Sequence, residues 1–153
     1  APPPKAFDLN GERFHWAVAH GVVGSVGLSR RTAVFDGGEA WAPELLITCS
    51  SLQSGGLQER TFAPQVGKAL LAVKAGDATF QVGNGVREAG RYRFVEGQGV
   101  LPAGWFDALS EAPTITVSYA GESRSFPAPG PDLTKHFERY CRDLARRSSR
   151  DET

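Results

Sequence analysis

The sequence is short of most of the residue types that would announce a function. It has no methionine, two cysteines and three histidines among 153 residues, and its 17 Lys and Arg balance 17 Asp and Glu exactly to a formal charge of zero. A balanced charge removes the basic surface that displaces counterions from nucleic acid, so no nucleic-acid partner is expected. No run approaches the roughly 20 apolar residues of a membrane-spanning helix. The longest uncharged stretch, Phe14 to Ser29, is interrupted by Gly21, Gly24 and Gly27 and holds His15 and His20. No transmembrane segment is therefore expected in this chain.

The missing initiator, with a start of Ala1-Pro2-Pro3-Pro4-Lys5, suits the mature side of a signal-peptidase cut. The expectation is a periplasmic or otherwise exported protein lacking its signal peptide, with an artificial chain boundary as the alternative. Residues 1–12 are expected to form an extended, poorly packed leader. Cys49 and Cys141 show no CxxC spacing and no His/Cys cluster, which leaves zinc and redox-motif readings without support. An even count in an exported protein favours one disulfide. Two unrelated buried thiols are the other reading.

What the chain does have is period-two patterning. Phe14, Trp16 and Val18 alternate, as do Leu45, Ile47 and Cys49, then Ala78, Phe80 and Val82. In Thr114-Ile115-Thr116-Val117-Ser118-Tyr119 hydroxyls and large apolar side chains trade places residue by residue. Such alternation marks strands with one face on a core and one in water. Val22 to Leu28, Thr32 to Phe35, Leu70 to Lys74, Arg91 to Phe94 and Arg124 to Phe126 complete the set.

Gly-containing punctuation falls between these runs, at Asp36-Gly37-Gly38, Ser54-Gly55-Gly56, Ala75-Gly76-Asp77, Gly83-Asn84-Gly85, Glu88-Ala89-Gly90 and Ala120-Gly121-Glu122. The fold class expected is all-β, an antiparallel sandwich or flattened barrel of seven to nine strands, in one domain over residues 13–147.

Two segments follow a helical period instead. Pro102 to Leu109 suggests one or two turns ending before Pro113. From Asp132, a plausible N-cap, Leu133, Phe137, Tyr140, Cys141 and Leu144 recur at helical spacing, with charged residues opposite. A C-terminal amphipathic helix is expected over residues 132–147, followed by a polar tail at 148–153. Cys141 lies on its apolar stripe and Cys49 on the inward side of its strand, so the pattern places both sulfurs towards the protein.

Few residues are spaced for chemistry. No histidine pair has a metal-binding spacing. Cys49 sits in an apolar strand, where a thiol is inert. Ser50-Ser51 lacks the GxSxG elbow, and Gly21 to Gly27 lacks the Lys of a phosphate loop. The chain is read as non-enzymatic, with no cofactor and no metal.

Arg87, Arg91 and Arg93 stand out as a set able to grip a carboxylate or phosphate partner through bidentate bonds. Solvated strand exteriors are the plainer account of them. Trp41, between Gly38 and Pro43, is the tryptophan expected to be exposed. These four are the candidate partner-binding residues.

The order of these features resembles a known family. An early Trp on a strand (Phe14-His15-Trp16-Ala17-Val18) precedes a Cys-bearing strand (Leu45 to Cys49). A string of Gly-punctuated strands follows, then Leu101-Pro102-Ala103-Gly104 with Ala108-Leu109, then the strand Ile115 to Tyr119. Ser125-Phe126-Pro127 leads into a terminal helix containing Cys141. From Phe14 to Leu144 this is similar to the invasion-associated locus B type of small exported alphaproteobacterial proteins. The family pattern has a cysteine soon after the first Trp, where this chain has Ala17-Val18-Ala19-His20.

The resemblance implies a periplasmic or envelope β-sandwich without catalytic residues. The resulting expectation is an exported binding or accessory protein, either a subunit of an envelope or membrane complex or a free periplasmic factor, whose partner is another protein. A small-ligand binder using the sandwich interior is one alternative. A periplasmic hydrolase inhibitor presenting the loop from Asp36 to Pro43 is the other.

Overall fold

The computed structural model describes residues 5–9, 12–20, 23–29, 43–65, 69–83, 85–89 and 92–151. Eleven strands run in chain order: β1 (Lys5–Leu9), β2 (Glu12–Ala19), β3 (Gly24–Ser29), β4 (Leu45–Cys49), β5 (Ser54–Glu59), β6 (Leu71–Ala75), β7 (Ala78–Val82), β8 (Gly85–Ala89), β9 (Tyr92–Val100), β10 (Thr114–Tyr119) and β11 (Glu122–Pro127). Helix α1 (Trp105–Glu111) lies between β9 and β10, and α2 (Pro131–Asp151) follows β11.

Every described pairing is antiparallel, in a seven-stranded sheet ordered β1-β2-β3-β4-β5-β9-β8 and a four-stranded sheet ordered β11-β10-β6-β7. The molecule is thus an open sandwich, and the flattened-barrel alternative does not apply. Its core lies between the sheets and under the two helices. Leu45, Ile47, Leu57 and Val95 come from one sheet and Leu71, Val73, Phe80, Ile115 and Val117 from the other. Trp105, Leu109, Leu133, Phe137 and Leu144 come from the helices. The β10 alternation is realised residue by residue, with Ile115, Val117 and Tyr119 buried and Thr114, Thr116 and Ser118 on the other side.

Several expectations need correction. Residues 5–9 are not part of a loose leader: β1 pairs with β2 from Lys5↔Trp16 to Leu9↔Glu12. Lys5 Nζ also donates to the carbonyl of Ala128 at 3.3 Å. Ser54-Gly55-Gly56 is not a turn but the start of β5. A Cβ on Gly55 would run into the Thr48 carbonyl, and one on Gly56 into the Gln98 side chain. The two glycines serve close approach of backbones, a second use of this residue in strands. Glu88 and Ala89, also expected in a turn, belong to β8.

β2 is buried on both sides. His15 and Ala17, opposite the Phe14 and Trp16 face, are as inaccessible as their neighbours, so one-sided wetting fails for this strand. Helix α2 begins one residue before the expected cap. Gly130 (φ 89°) precedes Pro131, and Thr134 N donates to the Gly130 carbonyl at 3.1 Å. Proline suits the first helical position because its missing N–H has no partner there. The helix also continues past Arg147 through residues expected to be a polar tail, since no Gly or Pro interrupts propagation before Asp151. The expected strand Thr32 to Phe35 lies outside the described residues.

Among the described residues, two of the tight hairpins that the sequence pattern asked for are seen. Ala120 (φ 51°) and Gly121 (φ 83°) link β10 to β11, and Gly76 (φ 55°) opens the β6–β7 link. Two consecutive positive φ values define the turn whose twist matches that of an antiparallel pair.

Candidate functional site

The β4–β5 ladder ends with the rung Leu45↔Glu59, so Glu59 shares the inward side of Leu45. The ladder continues one step further, where Arg60 N donates to the Glu44 carbonyl at 3.0 Å. The consequence is a carboxylate in the apolar interior: Glu59 is 0% exposed. Its Oε1 accepts from Thr61 N at 2.5 Å and from Thr61 Oγ1, while Oε2 is buried without a hydrogen-bond partner. Burial pushes the Glu59 carboxyl up to about 7. The two Thr61 bonds oppose that rise, Glu44 adds to it, and Arg124 opposes it.

Glu44, also buried, is ion-paired with Arg60 Nη2. From the facing sheet, the rung Val117↔Arg124 turns Arg124 towards the same interior. Its guanidinium lies over the Phe62 ring, 4.2 Å from the centroid, and its Nη1 is buried without a hydrogen-bond partner. Phe62 in turn meets Tyr119, with ring centroids 5.8 Å apart. Tyr119 Oη accepts from Gln65 N at 2.8 Å and donates to the Gln65 carbonyl at 3.1 Å.

Two carboxylates and two guanidiniums are thus placed at one end of the inter-sheet space, where a low dielectric strengthens every charge interaction. A carboxyl titrating near 7 is able to hold or release a proton under ordinary conditions, and such groups concentrate at functional sites as well as in structural networks.

A second cluster surrounds the cysteines. Cys49 and Cys141 form a disulfide with Cα atoms 5.8 Å apart, joining the end of β4 to the apolar stripe of α2. Beside it, a Cβ on Gly24 would meet both Tyr140 and the Cys49 sulfur, which is why the helix seats so close to β3. The Tyr140 ring lies flat against His20 at the end of β2, with centroids 4.3 Å apart. His20 Nε2 and His136 Nε2 are 2.8 Å from each other in an N–H···N hydrogen bond. Burial, with His20 next in weight, lowers the His136 pKa.

The remaining sequence candidates separate. Trp41 and Arg91 lie outside the described residues, as does the loop over 36–42. Backbone register pairs Arg87 with Phe94 and Glu88 with Arg93 in the β8–β9 ribbon. Arg93 Nε pairs with Glu88 Oε1 at 3.3 Å, both side chains being more than half exposed. This ribbon runs past the end of β5: the β5–β9 ladder stops at Glu59↔Val95, whereas the β8–β9 ladder continues to Ala89↔Tyr92. Among the described residues no group of three His, Cys, Asp or Glu is arranged to hold a metal ion. No described helix is long and apolar enough to cross a membrane.

Sequence reasoning missed Glu44, Glu59, Arg60, Thr61 and Arg124. The turn assigned to Ser54-Gly55-Gly56 hid the parity of Leu57 and Glu59, which face the same way. For Arg124 a signal was present: it is two residues from the inward Phe126 in a strand and must share its side. No family model, no curated protein and no solved structure matches the chain.

Proposed function

We propose that this protein is a non-enzymatic accessory protein of an exported, periplasmic compartment that acts by binding another protein. The observation that carries the reading is the buried Cys49–Cys141 bridge between sheet and terminal helix. A structural bond of this kind persists in oxidising compartments and is rare in the cytosol. The binding surface proposed is the β8–β9 ribbon, which offers Arg93 and Glu88 to solvent together with Val86, 48% exposed on the last strand of the sheet. A strand that ends the described sheet and exposes an apolar side chain is a natural place for a protein partner.

The test has two arms. Mass spectrometry of unreduced protein from its native cells recovers the two cysteines as one linked peptide in the periplasmic fraction. Recovery as free thiols in the cytosol removes the compartment. Affinity capture with the full chain as bait retains a partner that Arg93→Glu and Val86→Asp release. Equal capture by wild type and variants removes the ribbon.

A second reading, a small-ligand binder, is favoured by Glu59 Oε2 and Arg124 Nη1, opposite charges that turn buried unpartnered atoms into one interior. The rest of that interior argues against it: Phe14, Trp16, Ile47, Phe80 and Val117 belong to one packed core cluster. A ligand would therefore sit at the Glu59 end, and Arg124→Ala would abolish its binding.

A further inference from the structure

From the His20 and His136 pair we infer that the surface beside the disulfide is a binding site for a late transition-metal dication, Zn²⁺, Cu²⁺ or Ni²⁺. It is independent of the partner-binding role above. The two imidazoles come from different elements, the end of β2 and the first half of α2, and turn their Nε2 atoms to one point, 2.8 Å apart. When the donor imidazole carries its proton on Nδ1 instead of Nε2, both Nε2 lone pairs are turned to that point. Such ions hold imidazole nitrogens at about 2.0–2.1 Å, so two ligands at a right angle stand about 2.9 Å apart and two at the tetrahedral angle about 3.3 Å. An opening of a few tenths of an ångström converts the hydrogen-bonded pair into a chelating one.

The surroundings hold the pair in place. The Tyr140 ring lies parallel to His20 within 11°, one helical turn beyond His136 on the same side of α2. Cys141, the next residue, is bonded to Cys49, so the helix cannot leave the sheet without breaking a covalent bond. A site whose ligands are already placed loses less entropy on binding.

Donor chemistry selects the ion: imidazole suits Zn²⁺, Cu²⁺ and Ni²⁺, while Ca²⁺ and Mg²⁺ require oxygen ligands. No third His, Cys, Asp or Glu joins the pair among the described residues, so the remaining coordination positions stay open to water or to an outside group. Arg139 on the same helix and Arg147, whose guanidinium is 5.9 Å from the Tyr140 centroid, add positive charge that weakens binding of a cation.

The experiment titrates the full, oxidised chain with Zn²⁺ alone, followed by calorimetry and by thermal unfolding, and records the electron paramagnetic spectrum with one equivalent of Cu²⁺. Wild type is expected to bind one Zn²⁺ and to gain several degrees in Tm, because an ion that binds only the folded state stabilises it. The Cu²⁺ spectrum is expected to show nitrogen coupling. His20→Ala and His136→Ala each weaken Zn²⁺ binding by about tenfold or more, since losing a ligand costs at least as much as losing an outer partner that orients one. His20→Gln retains a hydrogen-bonding partner for His136 and loses the metal equally, which separates chelation from a purely structural clasp. Absence of Zn²⁺ binding in wild type overturns the site, as does wild-type affinity in any of the three variants.

Discussion

The indole of Trp16 donates to the carbonyl of Pro127 at 2.8 Å, tying the second strand to the last residue of the final strand across 111 positions of chain. Lys5 reaches the next carbonyl, that of Ala128. The first hairpin thus holds the short linker that delivers α2, and the N-terminal strands and the C-terminal helix stabilise one another through two consecutive backbone oxygens. Trp16→Phe keeps an aromatic ring in the core and removes the donor. It is expected to lower stability by about 1–2 kcal/mol, part of it from the abandoned carbonyl. Urea midpoints at constant m-value measure it, and an unchanged midpoint would mean that the bond contributes nothing net.

Removing the disulfide through Cys49→Ala with Cys141→Ala is expected to cost about 2–5 kcal/mol, the chain-entropy value for a link of 92 residues lying near the top of that range. The comparison is the midpoint of oxidised wild type against that of the double variant. Equal midpoints would show that α2 is held by Leu133, Phe137 and Leu144 alone.

Glu59 makes stability fall as pH rises. Its carboxyl titrates near 7 in the folded protein against an ordinary value of 4.5, so between those values the folded chain keeps a proton that the unfolded chain has released. The group's contribution is undiminished below about 4.5, is lost progressively up to about 7 and is constant above, a total on the order of 3 kcal/mol. Glu59→Gln should therefore match wild type near pH 4 and exceed it at pH 8. Stability curves of the same slope for both proteins would show that the proton is held elsewhere.

Two glycines should respond differently to alanine. In Gly55→Ala the new methyl meets the Thr48 carbonyl, a backbone atom that cannot swing aside, and a loss of about 2 kcal/mol or more is expected. In Gly76→Ala the space is open and only the positive φ is strained, costing about 1–2 kcal/mol. Thermal midpoints of the pair rank them, and the reverse order would remove backbone approach as the reason for glycine in β5.

Legibility in the sequence follows how far local pattern controls each element. β4, β7 and β10 begin and end at the residues their alternation marks; β7 and β10 keep one face on the core, whereas β4 also buries Thr48 on its other side. β5 was hidden because its glycines answer to a neighbouring strand, which no local window contains. β1 was hidden by the proline run before it. Its place depends on a ladder to β2, and it is one of eleven strands among the described residues against the seven to nine expected. The inward direction of Cys49 and Cys141 was readable from two independent periods. The Glu59 cluster was not, because its members come from strands in both sheets and meet only when the sheets face each other.

The sulfur bridge also closes a covalent ring through the polypeptide. β5 to β11, α1 and the first half of α2 lie inside it, and β1 to β3 lie outside. A protease that nicks the backbone once anywhere within the ring frees no fragment. The cut chain migrates as one species until a reductant is added, and it retains every rung of the four-stranded sheet that the cut itself spares. A single cut inside the ring therefore leaves its two pieces joined through sulfur.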